Sequence, residues 1–243
     1  MERSKVTYSI VAMLRLFLDT GSHENLLALC DGETVISMHP LPSHGDTELV
    51  PAIERMLADS RHAYSDLTHL ACVIGPGGFT SLRVGVAAIN TLSFALDLPS
   101  VGVHLSDVWS QRVFFERGVR QGGRRVEKLV SCELLDSPAS TGSFEENGNF
   151  LWLHSTRRSQ IFVKGFGADG TVTPIGTFGL EDAVQLQGSY VGELIPEHQT
   201  LLSRCIMIPE KELIPCNEFL PGFLAKLPYQ RQQLAPWYGR NAD

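Results

Sequence analysis

The stretch "LACVIGPGGFTSLRVGVAAINTLSFALDLPSVGVH", from Leu70 to His104, decides the fold. It begins as a short apolar strand, passes through a glycine-rich turn and enters a long helix, and Pro99 then precedes a second strand. A helix that starts this way presents free N–H groups that attract anions. The turn therefore either binds a phosphate or carries glycines only so that the chain can turn and the helix can pack.

The glycine-rich turn differs from the two common phosphate-binding motifs. Its glycines permit backbone torsions that a Cβ would oppose, and Thr80 or Ser81 is expected to cap the helix. No Lys follows the glycines, and the nearest cation, Arg83, lies one turn inside the helix. These features favour a structural role over phosphate binding. The loop and helix start comprise Gly75, Pro76, Gly77, Gly78, Phe79, Thr80 and Arg83.

Two predicted helices carry apolar seams. The helix over residues 80–96 has one seam at helical spacing and a second face of alanines, and an earlier helix over residues 47–59 has one apolar face after a cap at Asp46 or Thr47. A helix that is apolar on two sides must be covered on both, by its own chain or by a second chain. The candidate partner or dimer interface is Leu49, Ile53, Met56, Leu57, Leu82, Val86, Ile89 and Ser93.

The order of elements predicts a mixed sheet that occurs twice. "RLFLDTG" reads as a buried strand, and "NLLALCDGETVISMH" reads as a hairpin that turns at Asp31-Gly32. Three strands, helix, strand, helix, strand is the order of the first half, and three strands, helix, strand recurs after residue 149. Meandering strands followed by helical crossovers indicate an α/β fold with mixed sheets, and the repeat suggests a duplicated unit.

Composition indicates a soluble globular protein of 243 residues with 43% apolar and 19% charged residues. The net charge of −7 argues against a protein that binds nucleic acid over its whole surface. Five cysteines without a C-x-x-C pair favour a reducing, cytoplasmic environment. No run has the length of a membrane helix, and Arg15 interrupts the apolar run near the N-terminus, so neither a membrane span nor a signal peptide is expected.

The chain divides into four expected segments. Residues 1–12 are an N-terminal extension, which makes Met13 a plausible start, and residues 13–117 form an N-terminal lobe that holds the two interface helices. Residues 118–149, basic and glycine-rich and then polar, are a variable linker or insertion. Residues 150–243 form a C-terminal lobe with a C-terminal helix and tail.

The glycine turn and the segments around it resemble one family. "GPGGFTSLRVG", with the proline-led strand after it, is similar to the signature G-P-G-S-F-T-G-x-R-x-G of the bacterial tRNA threonylcarbamoyladenosine biosynthesis family TsaB, also called YeaZ. "TELVPAIERML" and "LFLDTG" resemble the family's earlier motifs, and "RRSQIFVKGF" and "PWYGRN" resemble its later ones, in the same order. The resemblance is dense over residues 16–103 and patchy beyond them.

The resemblance implies the duplicated two-lobe fold of actin, Hsp70 and the sugar kinases (ASKHA). It also implies an accessory subunit of the machinery that makes N6-threonylcarbamoyladenosine (t6A) at position 37 of tRNA, without catalytic residues, metal or cofactor of its own. Its partners would be a TsaD-like transferase, bound through the two helices, and a TsaE-like ATPase. Alone it would form a homodimer, and it would meet tRNA only through the complex. Asp19 and Thr20 match a phosphate-handling position of the fold, and Asp19 is expected to stabilise the turn through Thr20 and Gly21 instead.

Departures from the family pattern leave alternatives open. Asp46 stands where the family has a His, and Ser81 where it has a loop Gly. No H-x-x-x-H pair of the TsaD type is present, and the nearest histidines, His39 and His44, lie in a proline-rich loop, so no metal site is expected. The main alternative is an ATP-binding enzyme of the same fold, either a small-molecule kinase or a peptidase-like protein. A stand-alone regulatory homodimer is a third hypothesis.

Overall fold

The first of two sheets is formed by the N-terminal part of the chain. A computed structural model describes residues 13–41, 48–114, 120–121, 124–125, 150–167 and 171–239. The strands of the first sheet are β1 (Leu14–Asp19), β2 (Leu26–Asp31), β3 (Thr34–Pro40), β4 (His69–Gly75) and β5 (Ser100–His104). Their order is β3-β2-β1-β4-β5; the first three strands are antiparallel, and β4 and β5 run parallel to β1.

Three helices accompany this sheet, and a short hairpin follows them. They are α1 (Leu49–Asp59), α2 (Phe79–Leu96) and α3 (Leu105–Phe114), with single 3-10 turns at Tyr64–Asp66 and Glu210–Glu212. The hairpin is β6 (Arg120–Gln121) with β7 (Arg124–Arg125). It lies within the predicted insertion, most of which is outside the described residues.

The second sheet has the same topology as the first. Its strands are β8 (Phe150–Arg157), β9 (Gln160–Phe166), β10 (Gly176–Gly179), β11 (Gly188–Glu193) and β12 (Cys205–Met207). The helices are α4 (Leu180–Ala183), α5 (Pro196–Leu201) and α6 (Cys216–Ala225). The order β10-β9-β8-β11-β12 repeats that of the first sheet strand for strand, with β11 and β12 parallel to β8. The predicted duplicated, two-lobe ASKHA-like α/β fold is therefore confirmed.

The first sheet is covered on both faces, which explains why β1 is buried throughout. Leu16 and Leu18 point to the face under α1 and α2. Phe17, between them, points to the other face, where a larger cluster joins the two sheets. The hairpin between β2 and β3 turns at Gly32, whose φ of 56° is the positive value that the Asp31-Gly32 prediction required.

The end of the chain, within the segment predicted as the C-terminal lobe, returns to the first lobe. The apolar face of α6, with Phe219 and Leu224, lies in the cluster between the sheets and contacts β3. Beyond it, the backbone of Gln230 bonds to Ser100, and the Trp237 amide donates to the Ile74 carbonyl at 2.7 Å. The apolar surface of the first sheet is thus completed by residues from the far end of the sequence.

Among the described residues, α2 is the one helix long and apolar enough to meet the length and composition of a membrane span. Its apolar residues have another explanation here. Leu82, Val86 and Ile89 are buried in the N-terminal lobe.

Candidate functional site

Two turns meet at one edge of the first sheet, since β1 and β4 are parallel neighbours and both end there. The turn after β1 starts at Asp19, and the turn after β4 starts at Gly75. In an open sheet with this topology, ligands bind at the carboxyl ends of the parallel strands. This edge is therefore the first place to look for a functional site.

The Asp19 carboxylate forms hydrogen bonds within its own turn. Its Oδ1 accepts hydrogen bonds from the amides of Gly21 at 2.8 Å and Ser22 at 3.0 Å. Burial raises the pKa of Asp19, although these two bonds oppose that shift. The turn-stabilising role is the one expected, with Ser22 taking the place that the prediction gave to Thr20. Thr20 instead packs its side chain against Gly85 of α2.

Asp19→Asn and Asp19→Ala are expected to separate the effect of the buried charge on stability from the effect of the hydrogen-bond acceptor. The amide keeps an oxygen for both N–H groups and removes a buried charge, so Asp19→Asn should change the free energy of unfolding by less than about 1 kcal/mol. Asp19→Ala leaves two amides without their acceptor and should cost about 2–3 kcal/mol. Urea denaturation of both variants measures the difference. Equal losses would show that the charge, rather than the acceptor, holds the turn.

The glycine turn packs directly against the Asp19 turn. A Cβ on Gly77 would lie 2.5 Å from the Gly21 Cα, and a Cβ on Gly75 would overlap the Trp237 carbonyl. Gly75 has a φ of 147°, a value that L side chains rarely adopt. The glycines therefore serve backbone packing on two sides, against the β1 turn and against the C-terminal tail.

The start of α2 differs from the predicted cap. The N-cap is Gly78, which has an extended backbone and makes no side-chain cap bond, and the helix begins at Phe79. Thr80 and Ser81 therefore lie in the first turn rather than at the cap. The physical reason is that Gly78 already supplies the first carbonyl, which accepts from Leu82 at 2.9 Å.

Arg83, the cation nearest to the loop, is held by the C-terminal tail. Its guanidinium lies 3.8 Å from the centre of the Phe79 ring, and its Nε donates to the Tyr238 hydroxyl at 3.1 Å. Further along α2, the Asn90 side chain makes two 2.9 Å hydrogen bonds with the backbone of Leu234. The tail thus follows one side of α2 and ties it to the glycine turn.

Seven of the eight residues predicted for a partner interface are buried inside the N-terminal lobe. Each is at most 3% exposed, and Ser93 is half-buried with its hydroxyl donating to the Leu98 carbonyl at 2.6 Å. The assignment of these side chains to a partner surface is corrected, because the periodic apolar faces of α1 and α2 are the faces that cover the sheet. The seven are Leu49, Ile53, Met56, Leu57, Leu82, Val86 and Ile89.

Exposed side chains of α2 form a different face of that helix. Phe94 is 91% exposed, and Ala87 and Thr91 continue the same side at helical spacing with small, exposed side chains. On α1, Val50 is 54% exposed. We call Ala87, Thr91 and Phe94 the outer helix face. It combines a large unburied ring with a surface that another backbone can approach closely.

One group of polar side chains, His23, His154 and Glu193, has no counterpart among the residues predicted from the sequence. Their potential ligand atoms lie within 4.8 Å of one another. The three residues stand far apart in the sequence and form no motif, so only the fold brings them together. Of the histidines considered earlier, His44 lies outside the described residues, and His39 interacts with Ser37 at 2.9 Å.

Comparison with known sequences finds relatives in tRNA modification. The family model for TsaD, tRNA N6-adenosine threonylcarbamoyltransferase, matches residues 43–121. The tRNA threonylcarbamoyladenosine biosynthesis protein TsaB of Bacillus subtilis (strain 168) is 33% identical over 229 residues, which cover 87% of this chain and 94% of that protein. TsaB of Escherichia coli (strain K12) is 28% identical over 138 residues, covering 56% and 57%.

Comparison with solved structures supports the same fold. YeaZ from Pseudomonas aeruginosa superposes with a TM-score of 0.63 over 93% of this chain and 99% of that one, at 18% identity. At this identity the likeness concerns the architecture alone.

Proposed function

Because the chain belongs to the TsaB family, we propose that it is a non-catalytic subunit of the t6A machinery that binds and activates a TsaD-like transferase. The observation that carries this proposal is the 33% identity to a protein named for this biosynthesis, over nearly its whole length. The chain acts in the cytoplasm, where its tRNA substrate is modified. A TsaE-like ATPase joins the pair, and tRNA is bound through the complex.

The packing at the sheet edge supports a role without nucleotide chemistry. The Asp19 carboxylate is used by two backbone amides, Gly77 lies against Gly21, and Arg83 is held by Tyr238. The resemblance places phosphate handling in active members of the fold at the position of Asp19 and Thr20, and here the Asp19 carboxylate bonds to its own turn. The glycine turn instead serves to place α2 against the sheet and the tail.

The outer helix face is the proposed contact with the transferase. Burying an exposed aromatic ring contributes about 2 kcal/mol or more to association, and aromatic anchors dominate many interfaces. Small residues beside Phe94 let the partner come close. When the transferase is absent, the same face pairs two copies of this chain.

Reconstitution tests the proposed function. Threonylcarbamoyl transfer to tRNA is measured with the organism's TsaD-like and TsaE-like proteins and threonylcarbamoyl-AMP, with and without this chain. We expect modification only when the chain is present, together with a complex by light scattering. Full modification without the chain and without a complex would reject the proposal. Magnesium-dependent ATP binding by the isolated chain would then favour the enzyme hypothesis.

A further inference from the structure

A cluster of two histidines and one glutamate joins the two lobes. His154 on β8 and Glu193 on β11 are register partners on adjacent parallel strands, so their side chains lie side by side. The His154 Nδ1 is 3.5 Å from the Glu193 Oε2. His23 comes from the turn after β1 in the other lobe, and its ring centre is 5.3 Å from that of His154.

The imidazole of His154 is buried without a hydrogen-bond partner. The side chain is 0% exposed, and neither ring nitrogen makes a hydrogen bond within the described part of the chain. One face of the ring stacks on Trp152 at 5.6 Å, with the planes 8° apart. A buried polar group without a partner costs free energy, which a ligand at its open nitrogen would recover.

The Glu193 carboxylate links the two histidines. Its Oε2 accepts an N–H bond from the His23 backbone at 2.8 Å and lies 3.5 Å from the His154 Nδ1. The potential ligand atoms of all three residues lie within 4.8 Å of one another. A metal ion between them would give the buried His154 imidazole the partner that it lacks.

We propose that His23, His154 and Glu193 form a binding site for a divalent transition-metal ion, with Zn²⁺ as the probe that matches the ligand set. Two imidazoles and one carboxylate are a known zinc donor set that leaves a fourth position for solvent. Zinc bonds of about 2.0–2.2 Å place the ligand atoms of a tetrahedral site about 3.4 Å apart. The His154 Nδ1 and the Glu193 Oε2, 3.5 Å apart, already have about that spacing. The other ligand atoms lie within 4.8 Å of one another and must move closer when the ion binds.

The position of the site gives the ion a structural consequence. Two ligands belong to adjacent strands of the second sheet and the third to the turn that Asp19 stabilises. A bound ion therefore cross-links the lobes and fixes the β1 turn, which itself packs on the glycine turn at the start of α2. The site is independent of the proposed partner surface and of any catalytic role.

The test measures Zn²⁺ binding by the full chain. After treatment with a chelator, the protein is dialysed against Zn²⁺ and the bound metal is quantified, and Co²⁺ is added separately as a spectroscopic probe. We expect one Zn²⁺ per chain and the visible absorption bands of four-coordinate Co²⁺. His23→Asn and Glu193→Gln should each weaken binding by about 100-fold or more, since even outer-shell changes cost about 10- to 100-fold.

His62→Asn is the matched control. His62 also lies beside a carboxylate, with its Nδ1 3.7 Å from the Asp66 Oδ2, but outside the cluster. This variant should bind Zn²⁺ as wild type does. The proposal is overturned if the wild-type chain binds no stoichiometric metal, if Co²⁺ gives no four-coordinate spectrum, or if His23→Asn or Glu193→Gln retains wild-type affinity. Loss of binding in His62→Asn alone would overturn it as well.

Discussion

Replacing Phe94 with lysine is expected to remove binding to the TsaD-like partner and to leave this chain folded. The ring is 91% exposed on α2, so the substitution disturbs no internal packing. A cation near the C-terminus of a helix is compatible with the helix dipole, and lysine has a good helix propensity. The melting temperature should therefore remain close to that of the wild type.

The loss of binding follows from the chemistry of interface centres. Truncating an aromatic anchor commonly costs 2 kcal/mol or more, and a charge in its place must also be desolvated. We expect the dissociation constant to rise by at least about 30-fold, which corresponds to about 2 kcal/mol. Calorimetric titration with the purified transferase measures this change, and t6A formation in the reconstituted system should fall with it.

Ile206→Lys serves as the control for the Phe94 substitution. Ile206 is 74% exposed on β12, the edge strand of the second sheet, so the same chemical change is made away from α2. Partner binding should be unaffected there. If Phe94→Lys binds the transferase as tightly as wild type, the outer helix face is not the interface.

Ile89→Lys is expected to disturb folding, whereas Phe94→Lys is expected to disturb binding alone. Ile89 is fully buried, and an unpaired charge there should unfold the N-terminal lobe rather than affect binding alone. This reverses the inference from the apolar seam, in which the seam itself was the partner surface. Circular dichroism distinguishes the two outcomes, since a folded Ile89→Lys variant would mean that the seam is not internal.

The glycine turn and the periodic faces of α1 and α2 were predictable because local chemistry decides them. The spacing of Leu82, Val86 and Ile89 identifies an apolar face correctly, but it carries no information about which surface covers that face. The sheet covers it here, and the exposed residues of α2, such as Phe94, lie on another side of the helix. An isolated exposed ring has no periodic signature.

Long-range contacts account for most of what the sequence did not reveal. The C-terminal tail reaches Asn90 and Ile74, and His23 meets Glu193, through the three-dimensional arrangement of two lobes. The duplication was visible as a repeated order of strands and helices. Which residues of one repeat face those of the other depends on how the lobes dock, and no spacing within either repeat encodes it.

Gly77→Ala is expected to cost this protein about 3 kcal/mol of folding free energy. The added Cβ would lie 2.5 Å from the Cα and 2.7 Å from the carbonyl oxygen of Gly21. Both neighbours are backbone atoms, so no side-chain rotation relieves the overlap and one of the two turns must move. Urea denaturation should show the lower midpoint without a change in the slope of the transition.

Gly222→Ala is the control for Gly77→Ala. Gly222 lies in α6 with no atom within 4 Å of an added Cβ, so alanine there should stabilise the helix by about 0.5–1 kcal/mol. If the change in the free energy of unfolding has opposite signs in Gly77→Ala and Gly222→Ala, packing rather than chain entropy determines the Gly77 result. An unchanged stability of Gly77→Ala would mean that the turns stand apart, which would restore space for a phosphate between them. A large loss would instead tie the glycines to turn packing and to the placement of α2, the helix that carries the proposed interface.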